Sequence, residues 1–441
     1  MWTVLIGPNG TGKTSILQAA ALAAAGTVGA EDLVRPCKEA LLDKRRSSME
    51  VDVAADFVFG PEGRHNRRAH PRRFEALCLW DESDDDGGWL RSRIWIRADR
   101  NVEGNAEYVE PRAGELESRS ENDSTIVRDL LRTPDNDPLV QARADAARRH
   151  WFVAGYGVQR DLPPTERTPE SPKYPSIERM RGLFEPTRLI GPNFHTLFPQ
   201  DLSRAYAKLL KRVLFRTDAL VPGITDLDLR GAGGVTKPEH LTESHRFEQE
   251  VSGHKLKLPA RWLSHGYQSS LAWISDLVGQ LVLESGAAVQ PDRMEGLVLI
   301  DEVDLYLHPT WQVGLIQALR ETFPRLQFIV TTHSPILLTA FRREEVVKLD
   351  FDADGNVVKV PTPRDPRLLT GSELYEWFFG IDKLYPSELG ETLDRYTRLA
   401  TDPFRTDDED ASVTTLHAKL LAEGIQPGVK PVARRAPPKA G

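Results

Sequence analysis

The sequence predicts an α/β fold with a mixed sheet at its core, and three stretches carry that expectation. A short apolar strand, "WTVLI", runs directly into a glycine-rich turn and an alanine-rich helix. Two more apolar runs, "GLVLIDE" and "LQFIVTTHS", end in polar residues and flank one amphipathic helix, "PTWQVGLIQALRETF". Buried strands alternating with helices point to a largely parallel sheet covered on both faces. Between Met49 and Glu110 the pattern changes to strict alternation, which marks a separate antiparallel β subdomain.

With 441 residues the chain exceeds one ordinary domain, so lobes or large insertions are expected. Residues 1–160 should hold the first part of the core and the antiparallel subdomain. Its strands are "MEVDVAADFVFG", "RFEALCLW" and "WLRSRIWIRAD", separated by a basic turn (63–73) and an acidic one (81–88). Helical segments follow through Arg149, and "WFVAGYGVQR" closes the block as a short strand. Residues 161–290 read as an inserted helical lobe. It begins proline-rich, contains the helix "PQDLSRAYAKLLKRVLF" and a polar strand-and-turn region, and ends in the long apolar helix of "LSHGYQSSLAWISDLVGQ". Residues 291–411 complete the core and add C-terminal helices. Residues 412–441 read as a helix end and a disordered tail, because "GIQPGVKPVARRAPPKAG" offers little apolar area to bury.

Composition narrows the class. A net charge of −8 argues against a surface coated uniformly for nucleic acid, while leaving room for a local basic groove. Cys37 and Cys78 lack ligand-like spacing, so neither zinc nor a disulfide framework is supported, and two free thiols in a reducing compartment are expected. No run of 18 apolar residues and no signal-peptide layout occur. The expectation is a cytoplasmic protein without a membrane partner.

Gly7, Pro8, Asn9, Gly10, Thr11, Gly12, Lys13 and Thr14 fit the phosphate-loop pattern G-x-x-x-x-G-K-[ST], flanked by strand and helix as that pattern requires. Glycines let backbone N–H groups converge on phosphate oxygens at a helix N-terminus. Lys13 is placed to reach the β- and γ-phosphates, the Thr14 hydroxyl to ligate Mg²⁺, and Ser15 to add an α-phosphate contact. These residues form the ATP site of a P-loop NTPase.

Downstream, the strand of "GLVLIDE" delivers Asp301 and Glu302 to its carboxyl end, where α/β folds place their chemistry. Asp301 can hold the metal and its water shell. Glu302, directed oppositely by strand alternation, can act as general base toward the attacking water. The second strand ends in Thr331, Thr332, His333 and Ser334, and His333 can contact both the γ-phosphate and that water.

Together, "GPNGTGKTS", "LSHGYQS", "LVLIDE", "DEVDLYLHP" and "TTHSP" resemble the motifs of an ABC-type ATPase head, within the RecF/SMC/OLD group. "VAGYGVQR", "RMRGLFEP" and "GSELYEWFFGI" are further similar to the stand-alone ATPases of Septu-type antiphage systems. The resemblance implies that Ser264 and Gly266 are signature residues serving the γ-phosphate held by a second subunit. The helix N-terminus behind them supplies the partial positive charge; the alternative is an ordinary serine N-cap at Ser264 with a tolerant glycine. It also implies Gln159 as the metal-contacting glutamine, Asp304 as the D-loop acid that senses the partner, and a homodimer, or higher oligomer, closed around two ATP molecules. The resemblance also implies a β-hairpin ahead of the phosphate-loop strand that helps seat the adenine; that strand begins here at residue 2, so either the start lies further upstream or other residues hold the adenine.

Two functions from different classes follow. One is an ATP-gated switch acting on or near DNA, in genome maintenance or antiphage defence, with a separate nuclease effector. The alternative is an ATP-dependent regulatory module that sequesters a partner protein. Arg64, Arg67, Arg68, Arg72 and Arg73 of the basic turn are the DNA-contact candidates, set against the acidic Asp84–Asp86 nearby.

Overall fold

The computed structural model describes residues 1–34, 50–58, 89–100, 106–117, 152–162, 175–186, 189–215, 224–229, 245–286, 291–362, 364–381 and 387–434. The strand expected at "RFEALCLW", both charged turns, the helices through Arg149 and both cysteines lie outside these residues. The chain divides into two compact units, Met1–Leu368 and Leu369–Gly441.

In the first unit, β1 (Trp2–Ile6) leads through the glycine-rich turn into α1 (Lys13–Val34), a helix favoured by its alanine content. Next come β2 (Glu50–Val58), β3 (Trp89–Arg100) and β4 (Ala106–Glu117), which form a three-stranded antiparallel sheet. Backbone pairing in this sheet continues well past the Glu110 limit expected from the sequence.

β5 (Phe152–Tyr156), α2 (Pro175–Arg181) and α3 (Gln200–Phe215) follow. A second antiparallel sheet comprises β6 (Ile224–Asp228), β7 (Arg246–Val251) and β8 (His254–Pro259). Then come α4 (His265–Ser285), β9 (Gly296–Ile300), α5 (Pro309–Thr322), β10 (Leu326–Thr331), β11 (Val346–Phe351) and β12 (Val357–Val360).

The central sheet has six strands in the order β12-β11-β1-β10-β9-β5. All neighbours are parallel except the β11–β12 edge pair. Consecutive residues of β1, β5 and β9 are buried, and since successive side chains point to opposite faces, both faces are covered. Trp2 stacks on Phe328 of the neighbouring strand with ring centroids 4.2 Å apart, which locks β1 beside β10. α4 is buried over most of its length, as expected of a helix apolar nearly all round, and Gly286 at φ 72° ends it.

In the second unit, Thr370 and Glu373 form a capping box that starts α6 (Gly371–Phe379), and Gly380 ends it in the left-handed conformation. α7 (Ser387–Thr401) and α8 (Asp407–Ala422) share a core of Tyr396, Leu399, Ala400, Val413 and Leu420. The acidic first turn of α8 complements its helix dipole.

Contrary to the expectation of a disordered tail, the chain beyond α8 folds back as far as Arg434. Ile425 and Val429 pack onto the α7–α8 core. Tyr396 Oη donates to the Val429 carbonyl at 3.0 Å, and the Val432 amide to the Ala400 carbonyl at 2.9 Å. Arg405 and Arg434 close the segment through Val432 O and Asp407. The sequence offered only two apolar anchors here, and backbone pairing supplied the rest. Ending the chain after Gly424 should loosen α7 and α8 by about 2–4 kcal/mol, summing two partly buried aliphatics and several hydrogen bonds. Native-state hydrogen exchange of those helices measures it, and unchanged protection would refute a structural role for the tail.

Candidate functional site

The parallel strands carry their carboxyl ends to one edge of the sheet, and the polar residues of the sequence motifs collect there. At that edge Gly7 leaves β1 with φ 152°, and a Cβ on it would meet the Leu349 carbonyl oxygen at 2.5 Å. Only glycine permits this approach. Thr11 is buried, and its hydroxyl donates to the Pro8 carbonyl at 2.9 Å, which closes the turn. Pro8, Asn9, Gly10, Thr14 and Ser15 are exposed around it, and Gly12 opens α1 at φ 72°. Lys13 crosses beneath the loop, its ammonium donating to Gly7 O at 2.9 Å and Pro8 O at 3.1 Å. Burial lowers its pKa, while Asp301 and Glu302 pull it back up. The lysine is therefore held near two acids by charge as well as by the loop.

Asp301 follows the last residue of β9 and is buried, at 6% exposure. One carboxylate oxygen accepts from the Thr14 hydroxyl at 2.7 Å, the other from the Thr331 hydroxyl at 2.6 Å. Thr331, at the end of β10, also accepts from the Glu302 amide at 2.7 Å. Three strands are thereby joined at one carboxylate, because the Asp301 amide donates to Tyr156 O of β5 at 2.8 Å.

Glu302 corrects one expectation. β9 ends at Ile300, so strand alternation does not set the direction of the Glu302 side chain. Its backbone takes φ 47° and starts a tight turn (301–306) that Tyr306, at φ 64°, closes. A left-handed backbone is uncommon for a side chain of this kind.

Asp304 lies in the same turn and accepts from the Thr332 hydroxyl, whose oxygen also receives the Ser334 amide at 3.0 Å. Ser334 in turn donates to Gln312 on α5, and Gln312 donates to the Leu307 carbonyl at 3.2 Å. The end of β10 and the turn after β9 are thus bonded side chain to side chain. His333 sits between these anchors with its ring exposed.

Ser264 immediately precedes α4 and is exposed, and its side chain makes no capping bond to the helix. That separates it from an ordinary N-cap serine. Gly266 packs against the turn: a Cβ there would stand 2.3 Å from the Tyr306 carbonyl oxygen. His265 stacks on the Tyr306 ring at 4.5 Å. Deeper in α4, the buried Asp276 accepts from the Ile190 and Gly191 amides at 2.9 and 3.2 Å, and from Tyr156 Oη at 3.2 Å. Burial raises the Asp276 pKa, with these donors opposing it.

Gln159, the expected metal-contacting glutamine, is exposed three residues beyond β5. Its neighbour Arg160 turns inward, is 2% exposed, and donates through Nη2 to the Glu302 carbonyl at 2.6 Å. Burial holds the guanidinium down to about 10, against the pull of Asp301, Asp304 and Glu302. Arg160, Thr331 and Thr332 are the site residues to which the sequence reading gave no role. The available signal for Arg160 was its place just after a strand that ends where the acids gather.

Among the described residues, no cluster of three or more His, Cys, Asp or Glu side chains could hold a metal ion. One hydroxyl and one carboxylate at 2.7 Å suit Mg²⁺ instead, which favours few protein ligands beside phosphate oxygens and water. Nor, among those residues, is any helix long and apolar enough to cross a membrane.

Comparison with known proteins places this arrangement in context. The family AAA_21, described as "AAA domain, putative AbiEii toxin, Type IV TA system", matches residues 110–339, just over half of the chain. A Retron Vc95 probable ATPase from Vibrio cholerae serotype O1 biovar El Tor is 44% identical over 84 residues, which is 19% of this chain and 16% of that protein. A Retron Ec83 probable ATPase from Escherichia coli is 35% identical over 34% of this chain and 26% of its own length. Septu protein PtuA from Bacillus mycoides (strain KBAB4) is 32% identical over 36% of this chain and 22% of its own. The chain therefore spans about a quarter or less of these relatives. Among solved structures, the SMC head domain from Thermotoga maritima matches at 12% identity and TM-score 0.32, covering 82% of this chain and 90% of that one.

Gly266→Ala tests the contact between α4 and the turn. Alanine gains at most about 1 kcal/mol of helix propensity. Displacing a backbone carbonyl costs about 1–3 kcal/mol, so the clash wins and thermal unfolding should shift downward. Gly371→Ala, with nothing within 4 Å of the added Cβ, is the control that should not shift it. Equal melting of both variants would contradict the close approach.

Proposed function

This chain belongs to the AAA_21 family, and from that premise we propose that it binds and hydrolyses ATP, two copies closing face to face around two nucleotides. The observation that carries the reading is the 2.7 Å bond between the Thr14 hydroxyl and Asp301, which unites the phosphate loop with the strand-end acid across 287 residues.

Backbone N–H groups of residues 9–13 cradle the phosphates, and the Lys13 ammonium moves from the loop carbonyls to the β- and γ-phosphate oxygens. Thr14 and Asp301 are the residues that would hold Mg²⁺, which when bound would supply charge stabilisation at the transferring phosphoryl group. Glu302 takes a proton from a water as its oxygen attacks the γ-phosphorus. The bond from that phosphorus to the β-phosphate oxygen breaks, releasing ADP and phosphate. His333, exposed at the end of β10, contacts the γ-phosphate.

Ser264 and Gly266 serve the nucleotide of the second copy. The reading is supported by the exposed Ser264 hydroxyl, left uncommitted by its own helix. Asp304 relays contact with that copy to the end of β10 through Thr332. Relatives named as retron ATPases and Septu PtuA support a place in antiphage defence, with a separate effector protein executing the response.

Lys13→Ala should abolish nucleotide binding in equilibrium titration. Glu302→Gln should cut turnover by about 10²–10⁴-fold and accumulate an ATP-bound dimer in size-exclusion chromatography with light scattering; parent-like hydrolysis would falsify the general-base assignment. The Lys13→Ala and Ser264→Arg variants should each be inactive alone. Mixed, they should regain one working site per heterodimer. A silent mixture of folded, paired chains would exclude the shared site.

A further inference from the structure

Arg160 is a charged side chain that the proposed chemistry does not use, and its surroundings make its burial expensive. It is 2% exposed, yet among the described residues only Nη2 has a partner, the Glu302 carbonyl at 2.6 Å, while Nε and Nη1 are buried with no acceptor there. A residue kept for stability alone would not leave two donor nitrogens unmatched, since an apolar side chain of similar volume fills such a space at lower cost.

The charges nearby give the guanidinium a purpose. Asp301, Asp304 and Glu302 all act on it. All three belong to the stretch that opens the turn after β9, so their attraction to one buried cation draws that turn against the end of β5. The carbonyl it grips belongs to the residue whose backbone sits at φ 47°, outside the usual range for L side chains. Thr331 receives the Glu302 amide while Arg160 binds its carbonyl, so both polar ends of this one residue are fixed.

We infer that Arg160 is a positioning residue for ATP hydrolysis, clamping the turn at 301–306 so that the Glu302 carboxylate is held in place for the attacking water. This rests on Glu302 being the general base. It assigns to the end of β5 a basic role distinct from the metal contact that the resemblance gives to Gln159. Arg160 touches neither nucleotide nor water; it acts through the Glu302 backbone and through charge.

The test uses the full chain and three proteins: the parent, Arg160→Gln and Arg160→Lys. Turnover, ATP affinity, thermal unfolding and hydrogen exchange of residues 301–306 are measured on each. Glutamine keeps one donor and loses the charge. Its kcat should fall roughly 10- to 100-fold, part of what a general base contributes, with ATP affinity within about threefold of the parent. Lysine restores the charge without the planar fork, so it should recover part of the lost kcat. Exchange at 301–306 should quicken in Arg160→Gln without a matching fall in melting temperature.

Parent-like kcat in Arg160→Gln overturns the inference. So does a parallel loss of kcat, ATP affinity and melting temperature in both variants, which marks a purely structural residue. Should Arg160→Gln fail to fold, Arg160→Lys decides alone: lowered kcat at parental ATP affinity supports the clamp, and unchanged kcat ends it. A parent that binds ATP without turning it over removes the proposed function instead. In that case exchange at 301–306 still decides, and unchanged protection in the variants overturns the clamp.

Discussion

The Asp301 carboxylate, held between the hydroxyls of Thr14 and Thr331, is the constraint on which the rest of the site depends. A buried carboxylate is costly unless its lone pairs are matched. Here the matching groups come from the first helix and from the strand beside β9. The acid's hydrogen bonds are kept only if the phosphate loop, β9 and β10 all hold their places. The same three elements are what the proposed magnesium nucleotide site requires, so the geometry that satisfies the acid also suits that proposal.

Much of this was legible in the residues. The phosphate loop announced itself through spacing and flanking elements, and the strands ending in Asp301 and Thr331 through apolar runs followed by polar residues. The long, largely apolar helix after Ser264 likewise showed its start. What escaped was whatever depends on contacts between distant segments. Arg160 reads in the sequence as one more cation after a short strand, and only the turn beyond β9, folded over it, gives it a role. The direction of Glu302 was argued from alternation, which does not apply there because the strand stops at Ile300. The tail beyond Ala422 looked too polar to fold, since main-chain hydrogen bonds to Tyr396, Ala400 and Arg405 leave no mark in composition.

α4 joins the two halves of the proposed reaction. Its start carries Ser264 and Gly266, the serine and glycine that the proposal assigns to the nucleotide of a second copy. Its middle carries Asp276, bonded to the last residue of β5 through Tyr156, and Arg160 follows that strand by four positions. A shift of α4 upon pairing would have to break or drag a buried carboxylate's hydrogen bonds. The helix and the end of β5 are therefore expected to move together, in the manner of a packed element with few alternative arrangements.

The strand order has a consequence for how the protein is made. β1 is translated long before both its neighbours, β10 and β11, which come from beyond residue 325. Until they emerge, the strand that bears the phosphate loop has apolar faces and two unpaired edges. Such a topology folds slowly and exposes sticky surface meanwhile. The alanine-rich helix that follows can form at once from local contacts, which makes it the natural escort for β1 until the last third of the chain arrives.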